Sequence, residues 1–452
     1  MVGAFALLGS VLAGGPGSAA EPVPAGAKAW AAMFADPDRA AEPARMRAVL
    51  RACGEQVGPL KQLIASDAAY RKHPPGWLRR FDEVSDRGKK MKVEFLVRVP
   101  NGYTPDRVHP VLLAGHGLSM NGRSIAQMML RLLGGQADEY LLVAPTMPGP
   151  REYNGRAYQE QTYLRALAWV RRNLNVDDDR ICLSGYSMGG HTTWHVGTMH
   201  PRHFAAVVQM AGVPWFEGFP YTATVYLENL AHLRFWSIWG EKDIPLPRIG
   251  QVFFNRQATR RLEELSSPHY VGRELRGVGH VGCTPEPKAF AEFLAKGRRV
   301  AVPEQVTHFF HLDHHRRGYY LEATKLYGRP MQMSRHVYPK LDPKLPFPEA
   351  WKRTADYYRK FLFKMWGELD RSSNALAIRT WRVNAVRVYV IEGMFDHELP
   401  VRLRYNRRSW RGLVPRSARC MLTHYAADRD ATALVVNEID IDYRGRATVR
   451  YK

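Results

Sequence analysis

Short apolar runs alternate with longer amphipathic segments from about residue 91 to residue 298, and this alternation constrains the fold more than any other feature. The first run, residues 91–99, places apolar side chains at every second position, which is typical of a β-strand with one buried face. A longer segment carries Tyr163, Leu167 and Val170 on one helical face. Strands that alternate with helices predict a mostly parallel sheet with helices on both faces, a fold of the α/β class.

The predicted elements follow one another closely in this region. The strands are predicted at residues 91–99, 111–114, 140–144, 181–183, 205–210 and 235–239, and the helices at 124–133, 158–174, from Gly190 onward, at 255–265 and from Pro287 onward.

The pattern changes on either side of this region. Residues 21–88 are alanine-rich with helical spacing and predict a helical lead-in, so the α/β domain is expected to span residues 89–299. Strand-like stretches after residue 300 predict a small β-rich domain over residues 300–452, with a helical insert near residues 348–366. We expect this region to be dispensable for the chemistry on a small substrate, and the alternative is that its strands cover apolar surface of the α/β domain. These strands are predicted at residues 305–310, 383–391, 401–405 and 434–441.

Residues 1–20 have the features of a cleaved signal peptide. An apolar stretch too short to span a bilayer is followed by Ser18-Ala19-Ala20, although no lysine or arginine precedes Lys28. We therefore expect export, either to the periplasm or out of the cell. The four cysteines are too few and too scattered for a disulfide scaffold or a zinc site, so one bridge at most is expected.

The formal net charge of +22 leaves two interpretations open. The excess of arginine and lysine is either an ordinary solvated surface or a surface that attracts a polyanion such as an anionic polysaccharide or a cell surface. No basic and aromatic module typical of nucleic-acid binding stands out, so we expect no specific nucleic-acid partner.

The motif Gly185-Tyr186-Ser187-Met188-Gly189-Gly190 carries the most chemical information. It follows an apolar strand and opens a predicted helix, which is the context of a nucleophile elbow. Glycines flank the serine in such a turn because larger side chains would clash, and the turn exposes the hydroxyl. We predict that Ser187 is the nucleophile of an acyl-transfer reaction.

A serine hydroxyl needs a base within hydrogen-bond reach to take its proton. In this type of site the acid and then the histidine follow the nucleophile along the chain. His280, which follows Gly277-Val278-Gly279, is the predicted base. Asp243, in the turn after an apolar strand, is the predicted acid, and Glu241 in the same turn is the alternative.

Two backbone N–H groups are predicted to stabilise the oxyanion of the reaction. One belongs to Met188, the residue after the nucleophile, and the other to Leu118, in the segment Gly115-His116-Gly117-Leu118 after a strand. A plain glycine-rich turn is the alternative interpretation of the second segment.

Aromatic residues near the predicted nucleophile suggest a substrate pocket. Trp215, Phe216 and Tyr186 are predicted to line it, because they lie at or after the carboxyl ends of strands. Capping of the core is the alternative role for Trp215 and Phe216. The loop 147–156, with Arg151 and Tyr153, fits either a substrate-facing flap or an ordinary loop.

Together these segments resemble the esterase and peptidase branch of the α/β-hydrolase superfamily, which includes polyhydroxybutyrate-depolymerase-like esterases and prolyl oligopeptidase catalytic domains. The resemblance covers about residues 90–298 and implies the α/β-hydrolase fold and a triad of Ser187, His280 and Asp243. No propeller-sized region is present, so size exclusion by a propeller is not implied. The matching segments besides the elbow are Val99-Pro100-Asn101-Gly102-Tyr103, Asn175-Val176-Asp177-Asp178-Asp179-Arg180, Gly240-Glu241-Lys242-Asp243 and Gly279-His280.

We therefore expect a serine hydrolase that cleaves small or polymeric carboxylic esters through an acyl-enzyme on Ser187, without a cofactor. A serine peptidase of the prolyl oligopeptidase type is the first alternative. An inactive binding protein that keeps the hydrolase scaffold is a second alternative, of a different class.

The segment His308-Phe309-Phe310-His311-Leu312-Asp313-His314-His315 contains residue types that bind zinc. Its spacing does not match the His-x-His-x-Asp-His pattern of metallo-β-lactamase-like enzymes, and no second set of ligands is apparent. We therefore expect no metal here, and a solvated or ionic patch instead.

Overall fold

The computed structural model describes residues 26–35, 42–66, 70, 72–86, 88–148, 156–217, 220–243, 250–330, 342 and 344–451. The helices are α1 (Ala27–Ala35), α2 (Glu42–Ala52), α3 (Val57–Ser66), α4 (Gly122–Leu133), α5 (Ala157–Asn173), α6 (Met188–Met199), α7 (Gly250–Glu264), α8 (Pro287–Ala295), α9 (Phe347–Arg359) and α10 (Ala418–Asp428). The strands are β1 (Gly76–Asp86), β2 (Lys89–Val99), β3 (His109–Gly115), β4 (Leu141–Thr146), β5 (Val176–Tyr186), β6 (Ala206–Met210), β7 (Arg234–Gly240), β8 (Tyr270–Leu275), β9 (Gln305–Phe310), β10 (Arg317–Gly318), β11 (Leu321–Leu326), β12 (Phe363–Asp370), β13 (Ala375–Trp381), β14 (Val383–Ile391), β15 (Val401–Tyr405), β16 (Arg408–Gly412), β17 (Val435–Asp442) and β18 (Ala447–Val449).

Eight strands form the main sheet in the order β1-β2-β4-β3-β5-β6-β7-β8. The pairs β1–β2 and β2–β4 are antiparallel, and all pairs from β4 to β8 are parallel. Helices α5, α6 and α7 pack on one face, and α4 and α8 pack on the other. The central strands are buried on both faces, which explains why the sequence shows them as continuous apolar runs.

This topology is the α/β-hydrolase fold, so the predicted fold class is confirmed. Each strand and helix predicted between residues 91 and 298 overlaps an observed element, although the ends differ by up to five residues. The carboxyl ends of β5, β7 and β8 therefore bring the segments that follow them to one edge of the sheet.

The β-rich C-terminal region is also confirmed, as two five-stranded sheets with orders β10-β11-β14-β17-β18 and β16-β15-β13-β12-β9. Their inner faces share one core, to which Ile378 of β13 and Val388 of β14 contribute. The predicted helical insert is too long, since α9 ends at Arg359 and residues 363–370 form β12, paired with β9 and β13.

The predicted helical lead-in over residues 21–88 holds helices α1–α3 but is wrong at its end. Residues 76–86 form the edge strand β1, whose side chains are mostly exposed. Helices α1–α3 share the apolar core of the C-terminal domain, and Trp30 of α1 stacks on Tyr425 of α10 with ring centroids 5.5 Å apart. Both ends of the chain therefore build one domain around a common core.

The C-terminal domain covers apolar surface of the hydrolase domain. Phe216 and Tyr226 pack against Tyr358 and Leu362, which lie on α9 and just after it. An ionic contact supports this interface, since the buried Arg299 donates hydrogen bonds of 2.6 and 2.8 Å to Asp430. The structure shows this covering contact, and the dispensability of the C-terminal region for the chemistry stays a prediction.

Several expectations concern residues outside the described ranges. The predicted signal peptide, residues 1–20, and both Arg151 and Tyr153 of the 147–156 loop lie there. None of the helices within the described ranges combines the length and hydropathy needed to cross a bilayer. The four cysteines are described, and each is a buried free thiol.

Candidate active site

Ser187 occupies a sharp turn between β5 and α6. Its φ of 57° and ψ of −115° are unusual for a residue with a side chain. The Ser187 N–H donates to the Met210 carbonyl at 2.8 Å, and the Ser187 carbonyl accepts from the His191 N–H at 3.0 Å. Both neighbouring elements therefore hold the strained conformation that turns the hydroxyl outward.

The glycines of the motif let three backbone segments meet at this turn. A Cβ atom on Gly189 would lie 2.0 Å from the carbonyl oxygen of Gly115, at the end of β3. A Cβ atom on Gly185 would lie 2.3 Å from the carbonyl oxygen of Gly189. Neither position accepts any other residue without moving backbone, because the clashing atoms are main-chain atoms.

The structure brings the three predicted catalytic residues together. Ser187 Oγ lies 2.7 Å from His280 Nε2, and His280 Nδ1 lies 2.9 Å from Asp243 Oδ1. Asp243 is fully buried, whereas the His280 side chain is 31% exposed. This gives an unbroken hydrogen-bonded chain from a buried carboxylate to an accessible hydroxyl.

The loops that carry the acid and the histidine are held side by side. A Cβ on Gly240 would lie 2.3 Å from the Val278 carbonyl oxygen, and the Lys242 N–H donates to that same oxygen at 2.8 Å. Glu241, the alternative acid, is exposed, and its carboxylate accepts from the Gly277 N–H at 2.7 Å. The carboxylate that contacts His280 is therefore that of Asp243.

Two residues that the sequence did not single out for this purpose position the His280 loop. The Tyr186 hydroxyl donates to the His280 carbonyl at 2.8 Å, and the Cys283 thiol donates to the Gly279 carbonyl at 2.8 Å. Burial, together with the charge of Asp243, raises the pKa of Cys283 to about 12, so the thiol remains a donor. Burial also raises the pKa of Tyr186.

The predicted oxyanion donors lie next to the nucleophile. Met188 is the first residue of α6, so its N–H has no acceptor within the helix. A Cβ on Gly117 would lie 3.4 Å from the Ser187 Cβ, which places the segment containing Leu118 beside the serine. The Leu118 side chain is 53% exposed and points into solvent.

His116 makes hydrogen bonds that orient the segment Gly115-His116-Gly117-Leu118. Its Nδ1 donates to the Gly117 carbonyl at 2.8 Å, and its Nε2 accepts from the Met147 N–H at 2.9 Å. Burial lowers the pKa of His116, which keeps the ring neutral in this tautomer. Because the N–H of a trans peptide points opposite to its carbonyl, the Leu118 N–H points away from the His116 ring.

The predicted pocket residues have different surroundings. Tyr186 is half-buried with its ring 5.8 Å from that of His280, and Trp215 packs edge-to-face on His191 at 5.0 Å. Phe216 is buried, which favours core capping, the alternative role given for this residue. Its ring is buried against Tyr226 at the domain interface, because α9 covers this surface.

The fold and the site define the class of this protein as an α/β-hydrolase with a Ser–His–Asp arrangement. Residues 87–247 match the model of the Esterase family, described as "Putative esterase". The resemblance to the α/β-hydrolase superfamily is thereby confirmed. A comparison with curated protein sequences gives no match.

Solved structures with a similar fold include two esterases and a depolymerase. A thermostable esterase is 19% identical, with 49% of this chain and 63% of that chain covered and a TM-score of 0.38, so this chain spans less than two thirds of it. A CE1 ferulic acid esterase from Anaeromyces mucronatus is 18% identical, with 50% of this chain and 94% of that chain covered and a TM-score of 0.35. A poly(3-hydroxybutyrate) depolymerase from Bordetella parapertussis is 21% identical, with 52% of this chain and 98% of that chain covered and a TM-score of 0.37.

Proposed function

We propose that this protein is a serine hydrolase that cleaves carboxylic esters through an acyl-enzyme on Ser187. The observation that carries the proposal is the chain of contacts from Ser187 Oγ to His280 at 2.7 Å and from His280 to the buried Asp243 at 2.9 Å. The match of residues 87–247 to the Esterase family supports an ester rather than a peptide substrate.

In the first half of the reaction, His280 Nε2 takes the proton of Ser187 while Oγ attacks the ester carbonyl carbon. The negative charge on the carbonyl oxygen is stabilised by the N–H groups of Met188 and Leu118. His280 becomes an imidazolium, which the buried Asp243 carboxylate stabilises at Nδ1. His280 then protonates the departing alcohol oxygen, and the acyl group remains on Ser187.

In the second half, water takes the place of the alcohol. His280 Nε2 removes a proton from the water as its oxygen attacks the acyl carbon. The same two N–H groups stabilise the second oxyanion. Collapse of this intermediate returns the proton to Ser187 Oγ and releases the carboxylic acid, so the enzyme completes a turnover without a cofactor.

Export and polymer binding are finer parts of this proposal. The composition of residues 1–20 supports export with cleavage after Ala20, and N-terminal sequencing of protein recovered outside the cytoplasm tests it. The net charge of +22 supports attraction to polyanionic surfaces, which predicts binding that weakens as salt is added.

A panel of p-nitrophenyl esters with acyl chains of increasing length, assayed beside peptide p-nitroanilides, tests the proposed reaction. We expect ester turnover that falls by about four to six orders of magnitude in Ser187→Ala. Ser372→Ala, an exposed serine in the turn between β12 and β13, is the control and should retain activity. Faster cleavage of the anilides would favour the peptidase, and no turnover by folded protein would favour an inactive scaffold.

A further inference from the structure

A buried carboxylate at the domain interface is surrounded by histidines. The Glu160 carboxylate on α5 lies 2.8 Å from His200 Nε2, 2.8 Å from His315 Nε2 and 2.5 Å from His314 Nε2. His195 Nε2 lies 3.6 Å from the same carboxylate. Each of the four rings therefore directs the same atom, Nε2, toward the Glu160 carboxylate.

The cluster joins three parts of the chain. Glu160 lies on α5, His195 lies on α6 with His200 just after it, and His314 and His315 lie in the short turn that follows β9. Sequence spacing within residues 308–315 showed no second ligand set. The structure supplies that set from two helices more than a hundred residues upstream.

We propose that Glu160, His314 and His315 bind a divalent transition-metal ion of the Zn²⁺ type, with His200 as the fourth ligand once its side chain moves toward His314 and His315, and with His195 beside them. Imidazole nitrogens and one carboxylate oxygen are a donor set that zinc prefers, and four protein ligands are typical of a structural zinc site. Ligand atoms from Glu160, His314 and His315 lie within 4.8 Å of one another.

The observed spacings fit a small ion. Tetrahedral ligands at about 2.0–2.2 Å from zinc lie about 3.3–3.6 Å from each other. The contacts from Glu160 to the four histidine nitrogens span 2.5 to 3.6 Å, and the ligand atoms of Glu160, His314 and His315 all lie within 4.8 Å of one another, so an ion requires these side-chain ends to rearrange locally. A hub in which each histidine donates a hydrogen bond to Glu160 is the competing account, and metal analysis distinguishes the two.

The surroundings hold the ligands in place and leave one side accessible. The turn that carries His314 and His315 is fixed by His308, whose Nε2 donates to the His315 carbonyl at 2.6 Å. His308 itself fits only because residue 318 is glycine, where a Cβ would lie 2.4 Å from its ring. The His314 side chain is 34% exposed, whereas Glu160 and His315 are 1% exposed. An ion can therefore reach the cluster past His314.

The position of the cluster indicates a structural rather than a chemical role. His195 and His200 follow Met188 by 7 and 12 residues (195 − 188 and 200 − 188) on or just beyond α6. At 1.5 Å per residue they lie about 10 and 18 Å along the helix axis from Met188, the residue after Ser187. A bound ion would link α5 and α6 to the C-terminal domain, and this inference does not depend on the proposed esterase activity.

Metal analysis of the full-length protein tests the proposal. We expect the protein to bind about one equivalent of Zn²⁺ after treatment with dipicolinate, as measured by calorimetric titration with ZnCl₂ and by elemental analysis. Saturation with Zn²⁺ should raise the Tm of the stripped protein by about 5 °C. Co²⁺ in place of Zn²⁺ should give the intense visible bands of a four-coordinate site.

Variants locate the site. His314→Ala changes the most exposed ligand, so folding should survive, and Zn²⁺ affinity should fall by at least about 100-fold. Glu160→Gln should have the same effect and keeps the side-chain volume. His269→Ala, which changes an exposed histidine elsewhere, should bind Zn²⁺ as the unmodified protein does. No binding by the stripped full-length protein, or equal binding by His314→Ala and Glu160→Gln, would overturn the proposal.

Discussion

Replacement of Asp243 by asparagine should reduce turnover far more than the corresponding change at Glu241. Asp243 Oδ1 lies 2.9 Å from His280 Nδ1, and among the described residues no donor lies within hydrogen-bond distance of its second oxygen. Nothing described in the structure would therefore fix the orientation of an amide at residue 243. An amide that turns its NH₂ toward His280 selects the tautomer protonated at Nε2, which cannot take a proton from Ser187.

The expected loss in kcat for Asp243→Asn is about 10⁴-fold, which corresponds to about 5.4 kcal/mol of transition-state stabilisation. Glu241→Gln should cost less than about 10-fold, because the amide oxygen can still accept from the Gly277 N–H and the side chain is exposed. The two variants therefore differ in activity by about three orders of magnitude.

The assay is kcat and kcat/KM for p-nitrophenyl acetate at several pH values, with thermal unfolding as the check on folding. Both variants should unfold cooperatively near the Tm of the unmodified protein. A folded Asp243→Asn variant within tenfold of the original activity, or a Glu241→Gln variant that loses as much as Asp243→Asn, would refute the assigned role of Asp243.

Three further predictions follow from the packing around the site. Gly189→Ala should abolish soluble, active protein, because the added Cβ would lie 2.0 Å from a carbonyl oxygen of β3. The control is Gly135→Ala, whose added Cβ has no atom within 4 Å, so expression and activity should be retained. Deletion of residues 301–452 should cause aggregation, detected by size-exclusion chromatography, because the deletion exposes the apolar side chains that pack against α9. A truncated monomer that unfolds cooperatively would show that the tail is dispensable. His116→Ala should lower kcat by up to about 100-fold with little change in KM, because the Gly117 peptide loses its orientation, and unchanged kcat would exclude this role.

The elements of the active site could be predicted because each depends on a few adjacent residues. The elbow requires glycine at the positions where a Cβ would meet backbone, and this requirement is visible in the sequence around Ser187. The choice between Asp243 and Glu241 needed the structure. Both carboxylates follow β7 in one turn, and only the course of that turn brings Asp243 to His280 while directing Glu241 to Gly277.

Other features left no local signal. Strand β1 was missed because it is an edge strand, where Trp77 and Phe81 are each 47% exposed and only Val84 is buried, so the two-residue alternation is weak. The packing of α1–α3 on the C-terminal sheets joins segments separated by most of the chain. The Glu160 cluster likewise depends on tertiary contacts, since its ligands come from three distant segments.

The most direct test of the account is the site of covalent modification by a fluorophosphonate. Intact-mass spectrometry of the full-length protein should show one adduct, and peptide mapping should place it on Ser187, because this hydroxyl is hydrogen-bonded to the His280 imidazole. Ser187→Ala should show none under the same conditions. Stoichiometric labelling of folded protein at any other residue, or no labelling at all, would contradict the central claim that Ser187 is an activated nucleophile.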